Sequence, residues 1–187
     1  GGFGPCFGDT RRTDKVVSPF GALEADVMPA LTLAGEFRHT QQTKGQEILR
    51  NTSSAVSPPA GLGEAAGFKS QEFKFDNYRA SARYKLGADA MVYAAYADGT
   101  KAGGFNAAAT VPQDLTFDPE TSSTVEVGGK FSLMDRKLQI GVAVFSIKTK
   151  DVQISGPSSN PASLSLVTKN FGKTKSQGIE VDFAAAP

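Results

Sequence analysis

Asn77-Tyr78-Arg79-Ala80-Ser81-Ala82-Arg83-Tyr84-Lys85-Leu86 alternates at every step. Tyr78, Ala80, Ala82, Tyr84 and Leu86 occupy one parity, and Asn77, Arg79, Ser81, Arg83 and Lys85 the other. A helix would scatter these two sets around its surface, whereas a strand sends successive side chains to opposite faces. The segment therefore predicts a strand with one apolar, aromatic face and one charged face. Gly87-Ala88-Asp89 closes it with a tight turn, and residues 90–97 give a returning strand carrying Met91, Val92, Tyr93 and Tyr96. Alanines on both parities leave the phase of that second strand open.

The same period recurs on both sides. Upstream, Leu23, Ala25 and Val27 alternate with Ala22, Glu24 and Asp26; after Met28-Pro29-Ala30, Leu31, Leu33, Gly35 and Phe37 alternate with Thr32, Ala34, Glu36 and Arg38. Downstream, Val125, Val127, Gly129, Phe131 and Leu133 alternate with Thr124, Glu126, Gly128, Lys130 and Ser132, and Met134-Asp135-Arg136-Lys137 makes a turn. Residues 138–148 are apolar on both parities around Val142 to Phe145, so their register stays open. A last run sets Gln177, Ile179, Val181 and Phe183 against Ser176, Gly178, Glu180 and Asp182. Seven strands result.

Their connections sort by length. Short turns alternate with long Gly-, Ser-, Pro- and Thr-rich stretches at 44–74, at 98–120 and through Gly156-Pro157 and Asn160-Pro161. In an up-and-down meander this places every tight turn at one end and every long loop at the other. A transmembrane β-barrel has that asymmetry, with short periplasmic turns and long extracellular loops. The expected fold is all-β: an antiparallel meander forming about seven strands of a larger transmembrane barrel. Its charged face, with Glu36, Arg38, Arg79, Arg83, Lys85, Glu126, Lys130, Glu180 and Asp182, would line a wet interior. The competing reading is a soluble β-rich module whose apolar face packs on a core; alternation alone does not separate the two.

Composition narrows the function classes. Charged residues make up 21% of the chain with a formal net charge of +1, so no nucleic acid or other polyionic partner is implied. No run approaches the roughly 18 apolar residues of a membrane-spanning helix. Cys6 has no second cysteine to pair with in this chain and reads as a loop residue, and no signal peptide is visible at the start. His39 is the only histidine, so neither a histidine pair nor a catalytic triad can be assembled.

Other chemical signals are weak. Gly172-Lys173-Thr174 echoes a phosphate-binding loop, but Val167 stands where its leading glycine belongs and a strand follows instead of a helix. Glu126 and Glu180 lie on strands that are not adjacent, which does not suit a glycosidase pair. Gly1-Gly2-Phe3-Gly4 and Gly103-Gly104 read as turn glycines. Asn51-Thr52-Ser53 fits a glycosylation acceptor pattern, a short motif that carries little weight alone. No catalytic residue, metal ligand or cofactor is expected.

Several linked motifs carry a family resemblance. Tyr93-Ala94-Ala95-Tyr96-Ala97-Asp98-Gly99-Thr100-Lys101-Ala102-Gly103-Gly104-Phe105-Asn106, then Phe117-Asp118-Pro119-Glu120, then Glu126-Val127-Gly128-Gly129-Lys130, resemble in order the strand and loop signatures of TonB-dependent outer-membrane receptors. Asp135-Arg136-Lys137-Leu138, Ala143-Val144-Phe145, Asp151-Val152-Gln153, Asn170-Phe171-Gly172-Lys173 and Ser176-Gln177-Gly178-Ile179-Glu180 extend it, as does Leu31-Thr32-Leu33-Ala34-Gly35-Glu36-Phe37-Arg38, so that it covers nearly everything from Phe20 onward.

The resemblance implies a partial receptor barrel domain over 1–187, without the plug domain, the TonB-box peptide or the terminal aromatic strand. It implies a bacterial outer-membrane location and TonB-coupled import of a scarce nutrient, above all a ferric siderophore. The implied partners are outer-membrane lipid, TonB and the small-molecule ligand, with a monomeric barrel when intact. A passive porin or adhesin barrel is the alternative. Lys101 and Asn106 at the start of a long loop, and Arg79 and Arg83 on the charged face, are the candidate ligand contacts.

Overall fold

The computed structural model describes residues 9–49, 68–107 and 109–186. Cys6, Gly1 to Gly4 and Asn51-Thr52-Ser53 lie outside the described residues. The strands are β1 (Asp9–Val17), β2 (Phe20–Met28), β3 (Leu31–Leu49), β4 (Phe68–Lys85), β5 (Ala90–Lys101), β6 (Gly104–Phe105), β7 (Thr116–Phe117), β8 (Glu120–Leu133), β9 (Leu138–Pro157) and β10 (Leu166–Ala185). All pairings are antiparallel, and the main sheet runs β1/β2, β3, β4, β5, β8, β9, β10. β1 and β2 both pair with β3 and form one strand broken at Ser18-Pro19, where proline has no N–H to give the ladder. Pro19 O still accepts the His39 N–H at 3.0 Å, and the Ser18 and Thr40 hydroxyls meet at 2.8 Å. Seven long strands thus form an open meander, with β6 and β7 as a small separate ribbon.

Directly opposed residues in antiparallel strands share a face, so the register settles the phases that alternation left open. Val127 faces Ala94 on one side and Val144 on the other, and Val144 faces Ile179. Ala90, Val92, Ala94 and Tyr96 therefore belong with the apolar face, as do Leu138, Ile140, Val142 and Val144. Continued through Ala82, Leu33 and Ala25, that face crosses all seven strands. Nothing in the described structure covers it: Leu23, Ile179 and Phe183 are 83%, 71% and 78% exposed. A soluble sheet would bury such a face against a second layer. The buried apolar residues are instead Phe73, Ala102 and Val167, all toward the long-loop end.

The upper edge of the apolar band gives the strand tilt. Ala80, Tyr96, Val125, Ser146 and Gln177 lie opposite one another across β4, β5, β8, β9 and β10. The apolar run ends two residues above this row on β4, at Tyr78, and two residues below it on β10, at Ile179. That is four residues over four strand steps, or one per step. With about 3.3 Å per residue and about 4.8 Å between strands, the edge is inclined at roughly 35° to the ladder, the tilt of strands in a membrane barrel. Phe37 and Tyr78, with ring centroids 5.3 Å apart, and Tyr96 mark the upper border of the band; Tyr84, Phe131 and Phe183 mark the lower.

The strands are longer than alternation indicates. β3, β4, β9 and β10 have 19, 18, 20 and 20 residues, about twice what a bilayer crossing needs. Residues 44–49 and 68–74, expected as loop, are strand, and so are 98–101, 149–157 and 166–175. Above the band both faces are polar, so the pattern disappears while pairing continues, as in Gln41↔Lys74 and Thr43↔Glu72. His39 sits inside β3 on the apolar face's side, just above Phe37, and is bound to Asp76 at 2.7 Å. The short connections 29–30, 86–89 and 134–137 occupy one end; 102–119 and 158–165, with the last residue of β3 and the first of β4, occupy the other.

Candidate functional site

Two regions carry polar chemistry: the charged face of the sheet and the rim of folded loops above it. On the face, Arg79 lies opposite Glu36 on β3 and Ala97 on β5. Arg83, one row of turns below, pairs with Glu24 at 2.6 Å; with side chains 43% and 58% exposed, the pair contributes little to stability. Tyr93 donates to Glu126 at 2.7 Å across β5 and β8. Nearer the short turns, Lys85, Met91, Lys130, Gln139 and Asp182 border an open hollow of about 420 Å³. Lys101 shares this face at the top of β5, exposed and opposite Glu120. Three of the four candidate contacts, Arg79, Arg83 and Lys101, thus lie on one wall.

Asn106 is placed differently. It is 9% exposed, and both hydrogens of its amide are used: Nδ2 donates to Asp114 O and to Thr168 O, each at 2.8 Å. Its Oδ1 accepts the Thr168 N–H at 2.9 Å. The side chain thereby pairs with one residue of β10 as a neighbouring strand would. Asn170 does the reverse: its Oδ1 accepts Asp118 N–H at 2.7 Å, and its Nδ2 donates to Asp118 O and Asp151 O, both at 2.8 Å. Gln153 adds bonds to Ala102 O at 3.1 Å and Asp118 O at 2.9 Å. Three amide side chains so stitch the 102–119 loop to β9 and β10.

Gly103 and Gly104 fit this knot by size, and neither has a positive φ, contrary to the expectation of turn glycines. A Cβ on Gly103 would run into the Phe117 carbonyl oxygen and the Phe73 ring, and one on Gly104 into the Phe117 ring. β6 pairs with β7 at this point, and Lys44 reaches Gly103 O at 2.9 Å.

Asp114, at the end of a 3-10 turn over Pro112–Asp114, fastens the loop to its neighbour. It is 2% exposed and receives Ser158 Oγ at 2.8 Å, Ser159 N at 2.6 Å and Ser159 Oγ at 2.6 Å, with Lys169 Nζ at 3.4 Å. Burial pushes its carboxyl upward, but the Ser159 hydroxyl and N–H, the Ser158 hydroxyl and the Lys169 charge outweigh this and hold its pKa down at about 2. Asp114 is a residue that sequence reasoning missed. Its partners lie 44 and more positions away, and no local pattern marks it.

An open antiparallel meander with one uncovered apolar face, a charged opposite face and sorted connections defines a barrel-wall protein. The sequence model of the TonB dependent receptor-like β-barrel family matches residues 1–186, and the chain belongs to that family. Among solved structures it is similar to the ferric yersiniabactin uptake receptor of Yersinia pestis (21% identity, 93% of this chain and 24% of that one, TM-score 0.69). It is also similar to a siderophore receptor of Acinetobacter baumannii (20%, 94% and 23%, 0.69). A third is the Serratia marcescens hemophore receptor, solved with its hemophore and heme (17%, 91% and 31%, 0.59). The chain spans between 23% and 31% of the length of these three, and at such identities the likeness is one of fold.

Proposed function

We propose that this chain is part of the wall and outer rim of an outer-membrane receptor that imports a scarce nutrient with energy delivered through TonB, the cargo being an iron–siderophore complex. The observation that carries the reading is the apolar face running unbroken across seven strands at barrel tilt, backed by a charged face. Lipid is the one medium that satisfies the first while water in a lumen satisfies the second. The short turns then face the periplasm and the long loops the exterior.

A division of labour among the candidate residues fits this reading. Arg79, Arg83 and Lys101 line the path and offer cationic hydrogen-bond donors to an anionic cargo. Asn106 holds the loop from which such contacts are made. The nearest chemistry in kind is that of the receptors above, two of which are named for iron chelates. Uptake of ferric siderophores by cells with and without TonB tests the proposal. Uptake should cease without TonB while surface binding persists, because binding needs only loops and wall; uptake that continues unchanged would mean a passive pore.

A further inference from the structure

The outer end of the charged face holds a recess that none of the four candidate contacts borders. On β3, Lys44 and Gln46 continue the parity of Glu36 and Arg38, and on β1 Asp14 and Arg12 lie directly opposite them. These four residues therefore share the charged side of the wall. The β6–β7 ribbon folds over the same side: Lys44 Nζ reaches Gly103 O at 2.9 Å, and the ring of Phe73, which has the parity of Arg79, stands against Gly103. Between wall and ribbon lies a hollow of about 240 Å³, bordered by Arg12, Asp14, Lys44 and Gln46 on one side and by Phe105 and Phe117 on the other.

Two kinds of group meet there. Arg12 is exposed, and no ion pair among the described residues includes it or Lys44. The carboxylate at the border, Asp14, has both oxygens engaged by Gln42 Nε2, at 2.9 and 2.8 Å, which draws it toward the next row of the wall. Two cations thus stand against one occupied carboxylate. On the ribbon side the half-buried Phe117 ring lies over Gly104, where a Cβ would collide with it.

This combination selects the guest. A bare phosphate would satisfy the cations and leave the phenyl wall unused, and an aliphatic chain would do the opposite. A flat aromatic ring carrying adjacent anionic oxygens uses both, because the guanidinium fork takes two oxygens side by side while the ring packs on a phenyl. Space suffices, since a cavity of about 150 Å³ already accepts benzene. We propose that this recess binds one aromatic, anionic arm of the imported chelate, and so favours iron chelates built from ring oxygens over those built from hydroxamate arms, which carry no ring. The proposal rests on the import reading above and adds Arg12, Lys44 and Phe117 to the residues that meet the cargo.

Binding to the intact receptor carrying this chain, in detergent, is measured by isothermal titration calorimetry with three ferric complexes that share one scaffold. Their arms are catechols, anionic with rings; α-hydroxycarboxylates, anionic without rings; and hydroxamates, neutral without rings. Wild type should bind the catechol complex at least about tenfold tighter than either of the others. Arg12→Gln should weaken that binding about tenfold and Phe117→Leu about fivefold, with binding of the hydroxamate complex unchanged in both. Arg12→Lys, which keeps the charge and loses the fork, should fall between wild type and Arg12→Gln. Heat-modifiable electrophoretic mobility checks that each variant is folded. Wild-type affinity for the catechol complex in either Arg12→Gln or Phe117→Leu overturns the recess, as does equal wild-type affinity for the catechol and hydroxycarboxylate complexes. Failure of wild type to bind any of the three overturns the import reading as well, whereas binding of all three without preference overturns the recess alone.

Discussion

Asn106 and Asn170 each present one amide to one backbone residue across a gap, and each satisfies both that residue's N–H and its C=O. An aspartate in the same place loses the donor half of the pairing and sets a carboxylate oxygen against a carbonyl. Asn106→Asp should therefore weaken docking of the 102–119 loop by about 1–3 kcal/mol, the cost of buried polar groups left unsatisfied. Limited proteolysis of the folded protein should find a new cut in that loop; an unchanged digest would mean that the amide is dispensable.

Asp114 gives a pH signature. Its carboxyl is held at about 2, below the ordinary carboxylate range, so its contribution is complete above the unfolded value near pH 4 and is lost as pH falls through about 2. Amide exchange in 158–165, corrected for the intrinsic pH effect, should accelerate in that window. Asp114→Asn should exchange fast already at neutral pH and show no further step; a variant as protected as wild type would contradict the latch.

At the scale of the strand, Val127 and Lys130 test the two faces of β8. Val127→Arg should cost roughly 2–4 kcal/mol if it lies near the bilayer midplane, while Lys130→Gln on the charged face should change stability by less than about 0.5 kcal/mol. Denaturant unfolding in lipid measures both, and equal effects would reverse the face assignment. Residues such as Tyr78 to Leu86 and Thr124 to Leu133 made their strands legible because each side meets a different medium. Residues 90–97 and 138–148 withheld their phase for want of contrast, Ala94 against Ala95 and Val144 against Phe145, and only Val127 and Ile179 on neighbouring strands decide it. The outer strand halves and the Asp114 latch were illegible for a related reason. They are specified by pairing partners far along the chain, which no local period records. The candidate contacts divide likewise: the parity of Arg79 and Arg83 could be read directly, whereas the role of Asn106 depends on Thr168.

Across the whole molecule, the described sheet has two unpaired edges, β1/β2 and β10, beside an uncovered apolar face. Such a combination invites association, so this 187-residue chain refolded alone in buffer should sediment as aggregate; a sharp monomer boundary with cooperative unfolding would favour a soluble module. In whole cells, a protease site inserted after Asn160 should be cut, and one inserted after Asp135 protected until the outer membrane is opened. The reverse pattern would invert the molecule. The long β9–β10 ladder has a mechanical consequence. Its nineteen paired positions run steeply up the wall, so a tug along the barrel axis loads their hydrogen bonds together, in shear, instead of one at a time. A wall built this way resists lengthening along its axis, because a load applied at one end of the ladder is shared by all its rungs at once.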